Sequence, residues 1–190
     1  KHYPRNLIFI KGRQDKMGGK VFNIFRAMRS IAQELKPYKI KIIYYNLEIK
    51  EEVDKLKKQY GIDCELIPWL PYKQILELFA QSRFTISATE IEGSPSFLLE
   101  SMALGAFPIH SGISSIHDWI KNGKNGCLFP LNDINKITEC MKNALKDDQL
   151  ITSARNINWQ IAKTRMDRRK IKKLIKNIIE KEIIISEKNQ

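Results

Sequence analysis

The stretch that decides the fold is FTISATEIEGSPSFLLESMALGAFPIH, residues 84–110. It opens with a short apolar run, crosses a polar loop, continues with apolar residues at helical spacing and closes with a second apolar run at 107–110. A strand, a helix and a strand in this order form a β-α-β unit, which requires a parallel sheet. Ligands bind such sheets at the carboxyl ends of the strands, so the loop at 89–95 is the first place to search for a site.

The same alternation continues along the rest of the chain. Further apolar runs typical of strands lie at 6–11, 39–45, 64–67 and 126–129. Helical spacing predicts helices at 21–35, 49–60, 72–81, 114–121 and 133–145, with two more helical segments after them. With right-handed crossovers this order predicts an α/β fold, a Rossmann-like doubly wound parallel sheet over 1–150, followed by C-terminal helices in 151–190.

Composition limits the class of protein. The 190 residues are 43% hydrophobic and 28% charged, as in soluble globular proteins. No apolar run approaches the roughly 20 residues that span a bilayer, so we expect a cytoplasmic protein. Three cysteines, Cys64, Cys127 and Cys140, lack zinc-site spacing and are expected to be buried or inert thiols. The net charge of +12 admits nucleic acid, a membrane surface or an anionic small substrate as partner.

The loop and helix start at 92–100 carry the residues best suited to binding an anion. Gly93 lets the backbone approach a ligand, and Pro95 fits the first helical turn, where its missing N–H costs nothing. The free amides at this helix start would form an anion site; they belong to Ser96, Phe97 and Leu98. Glu100, further along the helix, could accept hydrogen bonds from hydroxyl groups such as those of a ribose.

Glu92 and Glu100 are separated by seven residues and are followed by Ser-Met-Ala-Leu-Gly-Ala-Phe-Pro. This arrangement resembles the paired-glutamate motif of retaining glycosyltransferases with the GT-B fold, especially glycosyltransferase family 4. Ser101 replaces the alanine that is common there. The resemblance implies that the chain is one half of a GT-B fold, the C-terminal half that binds a nucleotide-sugar donor.

Other segments are similar to the same family in the right order, over roughly residues 6–145. Gly12-Arg13 after the first strand resembles the family's Gly-Arg, and 118–129 resembles its run from an acidic residue through Asn-Gly to a last strand. The family also has a phosphate-binding lysine at the following helix. Lys20 fits that position better, and Lys16 is the alternative.

The resemblance implies a role for each of these residues. Arg13 and Lys20 would stabilise the leaving diphosphate, Glu92 would hold hydroxyls of the donor sugar, and Glu100 would hold the ribose. The base would lie at 67–70, where Trp69 would either stack on it or serve as a core or lid residue. Neither a metal nor another cofactor is implied. The remaining donor-binding positions are Gly12, Gly93, Ser94 and Pro95, with the three helix-start residues named above.

The acceptor, a glycan, a lipid-linked glycan or a cell-surface polysaccharide, would be selected by the missing N-terminal domain. Two interpretations of the basic segment 163–185 stay open: a helix that packs on or crosses to that domain, or peripheral contact with anionic lipid at the inner membrane surface.

His110 and His117 are expected to be packing or surface residues. A sugar-nucleotide epimerase is disfavoured by the paired glutamates with Gly-Arg. A nucleic-acid-binding module is disfavoured because no aromatic residues alternate with the basic ones.

Overall fold

The computed structural model describes residues 5–15, 18–93, 95–173 and 175–176, and this part of the chain forms one six-stranded parallel sheet. The strands are β1 (Leu7–Lys11), β2 (Lys39–Ile43), β3 (Cys64–Leu66), β4 (Ser82–Ser87), β5 (Phe107–Ser111) and β6 (Cys127–Phe129). Their order in the sheet is β3-β2-β1-β4-β5-β6. This is the doubly wound, Rossmann-like order, and the predicted α/β fold is confirmed.

A helical stretch starts at residue 168, and eight further helices are assigned within the described ranges. They are α1 (Val21–Ser30), α2 (Ala32–Leu35), α3 (Leu47–Tyr60), α4 (Tyr72–Gln81), α5 (Ser96–Ala103), α6 (Ser114–His117), α7 (Ile134–Lys146) and α8 (Asp148–Arg165). Local chemistry sets several of their ends. The Asn46 side chain accepts a hydrogen bond from the Ile49 amide at the start of α3, and Gly61, with φ of 65°, ends that helix.

Two predicted helices differ from the structure. The helix expected at 21–35 is divided at Ile31, which is fully buried and has non-helical φ and ψ of −125° and 29°. The helix expected at 114–121 ends at His117. There the Asn125 side chain accepts the Lys121 amide hydrogen at 2.7 Å, so this amide does not extend the helix.

The central strand β1 is buried on both faces, which explains its continuous apolar run. Ile8 and Ile10 pack with α1, α3 and α7 on one face, while Leu7 and Phe9 pack with α4 and α5 on the other. The rings of Phe9 and Phe79 meet edge to face, 5.0 Å apart. The carboxyl end of β1 is therefore held in a well-packed layer.

The expectation of three unpaired thiols is wrong for two of the cysteines. Cys127 in β6 and Cys140 in α7 form a disulfide with a Cα–Cα distance of 5.8 Å, whereas Cys64 is free and buried. Their separation of 13 positions carries no pairing signature in the sequence. The two residues meet only because α7 packs against β6.

The C-terminal region is described only in part. Ile151, Ala154 and Ala162 of α8 are buried within this domain, and α8 packs against α5. Residues 174 and 177–185 of the basic segment lie outside the described residues, so both interpretations of 163–185 stay predictions. None of the helices in the described ranges is long and apolar enough to cross a membrane.

Candidate functional site

The site begins at the carboxyl end of β1, where the chain makes a turn that only glycine permits. A Cβ on Gly12 would lie 2.5 Å from Cγ2 of Ile42 and 2.9 Å from the carbonyl oxygen of Ile43. A Cβ on Gly19 would lie 2.7 Å from the backbone oxygen of Arg13. Both glycines therefore allow the loop after β1 to fold tightly against its neighbours.

This loop is joined to the loop after β4 by backbone hydrogen bonds. The Lys20 amide donates to the Ala88 carbonyl at 3.0 Å, and the Glu90 amide donates to the Gly18 carbonyl at 2.8 Å. Because β1 and β4 are neighbours at the point where the strand order reverses, the two loops meet at the switch point of the sheet.

The two cations predicted to bind phosphate lie at this edge, and each is paired with a carboxylate. The Nε atom of Arg13 is 2.6 Å from Oδ2 of Asp15, and the Nζ atom of Lys20 is 3.3 Å from Oε1 of Glu90. About a third of each cationic side chain is exposed. Lys16 and Ser94, the other predicted residues of these loops, lie outside the described residues.

Glu92 is the best-enclosed carboxylate of the site. Its side chain is 10% exposed, and its Oε1 atom is 2.5 Å from the Nζ atom of Lys11 at the end of β1. The Ser115 hydroxyl donates to the Glu92 backbone carbonyl at 2.5 Å. Burial opposes ionisation, but the interactions of the carboxylate with His110 and Lys11 outweigh it and lower the pKa of Glu92. A buried, ionised carboxylate thus faces the switch point.

The second oxygen of Glu92 faces His110, at the end of β5. The Nε2 atom of His110 lies 3.3 Å from Oε2 of Glu92. This distance is within ion-pair range, yet neither atom has a hydrogen bond of good geometry. The ring is 2% exposed, so His110 is buried as one expectation had it, but it also contacts a predicted site residue.

Glu100 has a different environment on the first turns of α5. Its Oε1 atom accepts a hydrogen bond from the Tyr72 hydroxyl at 2.9 Å. Burial raises the pKa of Glu100, and the Tyr72 hydrogen bond offsets this only in part. The same hydrogen bond is the main cause of a raised pKa for Tyr72.

Glu100 opens onto a cleft of about 670 Å³ whose walls are rich in aromatic side chains. Trp69 is 86% exposed, so the prediction of a core role is wrong, and stacking or a lid role stays open. Tyr44 has φ of 64°, in the left-handed region that is strained for residues with a side chain. The lining residues are Ile43, Tyr44, Tyr45, Ile67, Pro68, Trp69, Leu70, Tyr72, Ile75, Ser96 and Glu100.

The start of α5 lies between these two regions. The first amides of a helix have no partner within it, and the first turn of α5, which follows Pro95, contains no acidic residue. The side chains of Phe97 and Leu98 are buried, so only their backbone is available to a ligand. A small cavity of about 40 Å³ is lined by Lys11, Ser96, Phe97 and Glu100, among others. A Cβ built on Gly93 would meet nothing within 4 Å, so this loop borders open space.

Sequence reasoning had identified both glutamates, the glycines and the cations, but not Lys11, His110 or Tyr72 as their partners. Lys11 carried one signal, because it is the single charged residue that ends the otherwise apolar run of β1. His110 and Tyr72 carried none, since each is far in sequence from the glutamate that it contacts. Within the described ranges, no group of three or more His, Cys, Asp or Glu side chains is arranged to hold a metal ion.

Comparison with known families gives one match, to the family model of glycosyl transferases group 1, over residues 3–164. A search of curated proteins gave no match. Solved structures similar to the chain include HepE from Anabaena in complex with UDP-glucose, with a TM-score of 0.76, 14% identity, and 93% of this chain and 49% of that chain covered. The pneumococcal O-GlcNAc transferase GtfA, in complex with UDP and GlcNAc, has a TM-score of 0.74 and 18% identity over 93% of this chain and 36% of that chain.

A third similar structure is the C-terminal domain of the group 1 glycosyl transferase family protein LpcC from Francisella tularensis. Its TM-score is 0.75 at 18% identity, with 87% of this chain and 89% of that chain covered. The chain thus spans between a third and a half of the length of HepE and GtfA, and nearly all of the LpcC domain. The fold is that of one half of a larger two-part architecture.

Proposed function

Because this chain belongs to the group 1 family of glycosyl transferases, we propose that it binds the nucleoside-diphosphate sugar from which a glycosyl group is transferred. The observation that carries the proposal is that the hydrogen-bonded loops after β1 and β4 place Arg13, Lys20 and Glu92 at the sheet's switch point, while Glu100 lines the aromatic cleft. The complexes of HepE with UDP-glucose and of GtfA with UDP and GlcNAc support this class of ligand.

The diphosphate binds to Arg13, Lys20 and the free amides at the start of α5. Breaking the bond between the sugar and the diphosphate leaves negative charge on the phosphates, and positive groups placed beforehand stabilise that charge as it develops. The carboxylates now paired with Arg13 and Lys20 are at least a third exposed. Exposed ion pairs contribute about 1 kcal/mol or less, so exchanging them for phosphate contacts costs little.

The two glutamates hold opposite ends of the donor. Glu92, ionised and oriented by Lys11, accepts hydrogen bonds from sugar hydroxyls. Glu100 accepts a hydrogen bond from the ribose, in place of or beside the one from Tyr72. The base lies in the aromatic cleft, where the exposed ring of Trp69 supplies a stacking surface.

We further propose that transfer retains the anomeric configuration and needs no metal. Arg13 and Lys20 supply the positive charge that a divalent cation would otherwise bring to the diphosphate. The acceptor, a glycan or a lipid-linked glycan, binds to a part of the whole protein outside this chain. Contact of the basic segment 163–185 with anionic lipid would bring a lipid-linked acceptor close.

Titration calorimetry of the chain with UDP and UDP-glucose, in the presence of a chelator, tests the donor site. We expect both ligands to bind, and Glu92→Gln to weaken only UDP-glucose. Glu51→Gln, on the exposed side of α3, is the control for the loss of a carboxylate outside the site. Binding that disappears in chelator and returns with magnesium would contradict the metal-free proposal. An inverted linkage, seen by NMR of the product made by the full-length protein, would contradict retention.

A further inference from the structure

The hydrogen bonds around the His110 ring determine which of its nitrogen atoms must carry a hydrogen when it contacts Glu92. The Nδ1 atom of His110 is 3.0 Å from the backbone carbonyl of Ser111. A carbonyl oxygen can only accept, so Nδ1 must carry the hydrogen. The Ser111 hydroxyl cannot supply a competing donor, because it donates to the Thr89 carbonyl at 2.6 Å and accepts from the Thr89 amide.

With its hydrogen on Nδ1, a neutral His110 presents a lone pair at Nε2. That lone pair would face Oε2 of Glu92 across 3.3 Å, in a place where His110 is 2% exposed and water cannot separate the two atoms. Two buried acceptors in contact are unfavourable. One additional proton, on Nε2, converts the repulsion into a charge-assisted hydrogen bond.

We propose that Lys11 and His110 are positioning residues that hold the Glu92 carboxylate by its two oxygens, and that His110 must bind a proton to do so. The inference rests on the proposed role of Glu92 in holding the donor sugar. Lys11, on β1, fixes Oε1, and protonated His110, on β5, fixes Oε2. Sugar recognition then requires a protonated imidazole that never touches the substrate.

The charges around the pair are consistent with this protonation. Lys11 is the other cation on Glu92, and the pair Lys20–Glu90 of the same loop region uses neither oxygen of Glu92. From α6, Ser115 meets the backbone carbonyl of Glu92 rather than its carboxylate, and His117 lies against Gly112.

The test compares UDP-glucose binding by the wild-type chain and by His110→Gln from about pH 5 to about pH 8, the interval in which histidine ordinarily titrates. Glutamine donates a neutral hydrogen bond at every pH in this interval. We expect wild-type affinity for UDP-glucose to fall by about tenfold as pH rises, which is about 1.4 kcal/mol, and the variant's affinity to stay flat. UDP alone, measured in both proteins, is the control for titration of the ligand and of the phosphate site.

Lysine 11 has its own pair of variants. Lys11→Arg keeps the cation beside Glu92 and should retain most of the sugar-dependent affinity at pH 6, while Lys11→Met should lose about tenfold or more. The loss should be confined to UDP-glucose, with UDP affected several-fold less. Equal losses for both ligands would show that Lys11 acts on the phosphates, and the positioning role would be wrong.

NMR of the imidazole ring keeps the proposal testable without any ligand. The chain has three histidines, so His110 is assigned by comparison with His110→Gln. We expect Nε2 of His110 to carry a hydrogen at pH 6 in the wild type, where it faces a carboxylate oxygen, and not in Glu92→Gln, where the amide can donate to it. The same Nε2 hydrogen state in both proteins, or wild-type and His110→Gln profiles of the same shape for UDP-glucose, would overturn the inference while leaving donor binding intact. Failure of every nucleoside diphosphate and nucleoside-diphosphate sugar tested to bind would refute the proposed function instead.

Discussion

The two glutamates of the motif occupy opposite electrostatic environments, although they are eight positions apart and share one loop and helix. Glu92 is held between Lys11 on β1 and His110 on β5, and its pKa is lowered. Glu100 faces an open aromatic cleft and a neutral phenol, and its pKa is raised. The motif supplies two carboxyl groups, but the sheet and the cleft determine which of them carries a firmly held charge.

The largest expected effect tests whether the stability of the protein depends on the ion pair between Lys11 and Glu92. Lys11→Met leaves Glu92 buried without its nearest cation, so the free energy of unfolding should fall by about 3 kcal/mol. Tyr72→Phe, which removes the neutral partner of Glu100, should cost about 1 kcal/mol or less. Urea denaturation at pH 7 measures both, and equal losses would mean that the two environments do not differ as argued.

The next effect concerns the phosphates, which we propose to bind at Arg13, Lys20 and the start of α5. Arg13→Ala should weaken UDP and UDP-glucose alike, by roughly tenfold to hundredfold, because losing a charge-assisted contact costs about 1.5 to 3 kcal/mol. Arg26→Ala, on the exposed side of α1, is a control for the loss of one positive charge. Calorimetry on both variants measures these losses. A loss seen with UDP-glucose alone would show that Arg13 contacts the sugar and not the phosphates.

The sequence predicted the features that depend on local patterns, and it did not predict the contacts between residues far apart in the chain. Apolar periodicity predicted the parallel sheet, because strands buried on both faces must be continuously apolar, as β1 is. The glutamates, Gly12 and Arg13 were found because their motifs are local in sequence. The partners of the glutamates were not found: Lys11 is 81 positions from Glu92, and Tyr72 is 28 positions from Glu100.

Contacts between distant parts of the chain also explain other differences between the sequence-based predictions and the structure. Strand order alone brings the ends of β1, β4 and β5 side by side, so no local pattern announces that Lys11, Glu92 and His110 meet. The disulfide between Cys127 and Cys140 joins a strand to the helix packed on it, again without a local signature. Ile31 interrupts an amphipathic pattern that continues on both sides, and periodicity cannot detect such a break.

A smaller effect tests the role of Trp69 in the aromatic cleft. Trp69→Ala removes the exposed ring proposed to stack on the base, and aromatic stacking contributes about 1 kcal/mol, so UDP and UDP-glucose should each bind roughly fivefold more weakly. Trp69→Phe should recover most of this affinity. Because the ring is exposed, stability should be unchanged, which thermal unfolding can verify. An effect limited to UDP-glucose would show that Trp69 contacts the sugar and not the base, and the proposed stacking on the base would be wrong.

The smallest expected effect, a difference in the pH dependence of stability, tests the comparison most directly. The lowered pKa of Glu92 means that the unfolded chain binds more protons near its ordinary value of 4.5, so this stabilisation is present above that value and is lost as pH falls. The raised pKa of Glu100 has the opposite sign: the folded chain holds the proton, and the stabilisation present at low pH is lost as pH rises. The difference in unfolding free energy between wild type and Glu92→Gln should therefore grow from acid toward neutral pH, whereas the difference between wild type and Glu100→Gln should shrink. Glu51→Gln, on the exposed side of α3, controls for the loss of any carboxylate. Two differences that change in the same direction would show that the carboxyl groups share one environment, and the contrast between Glu92 and Glu100 would be wrong.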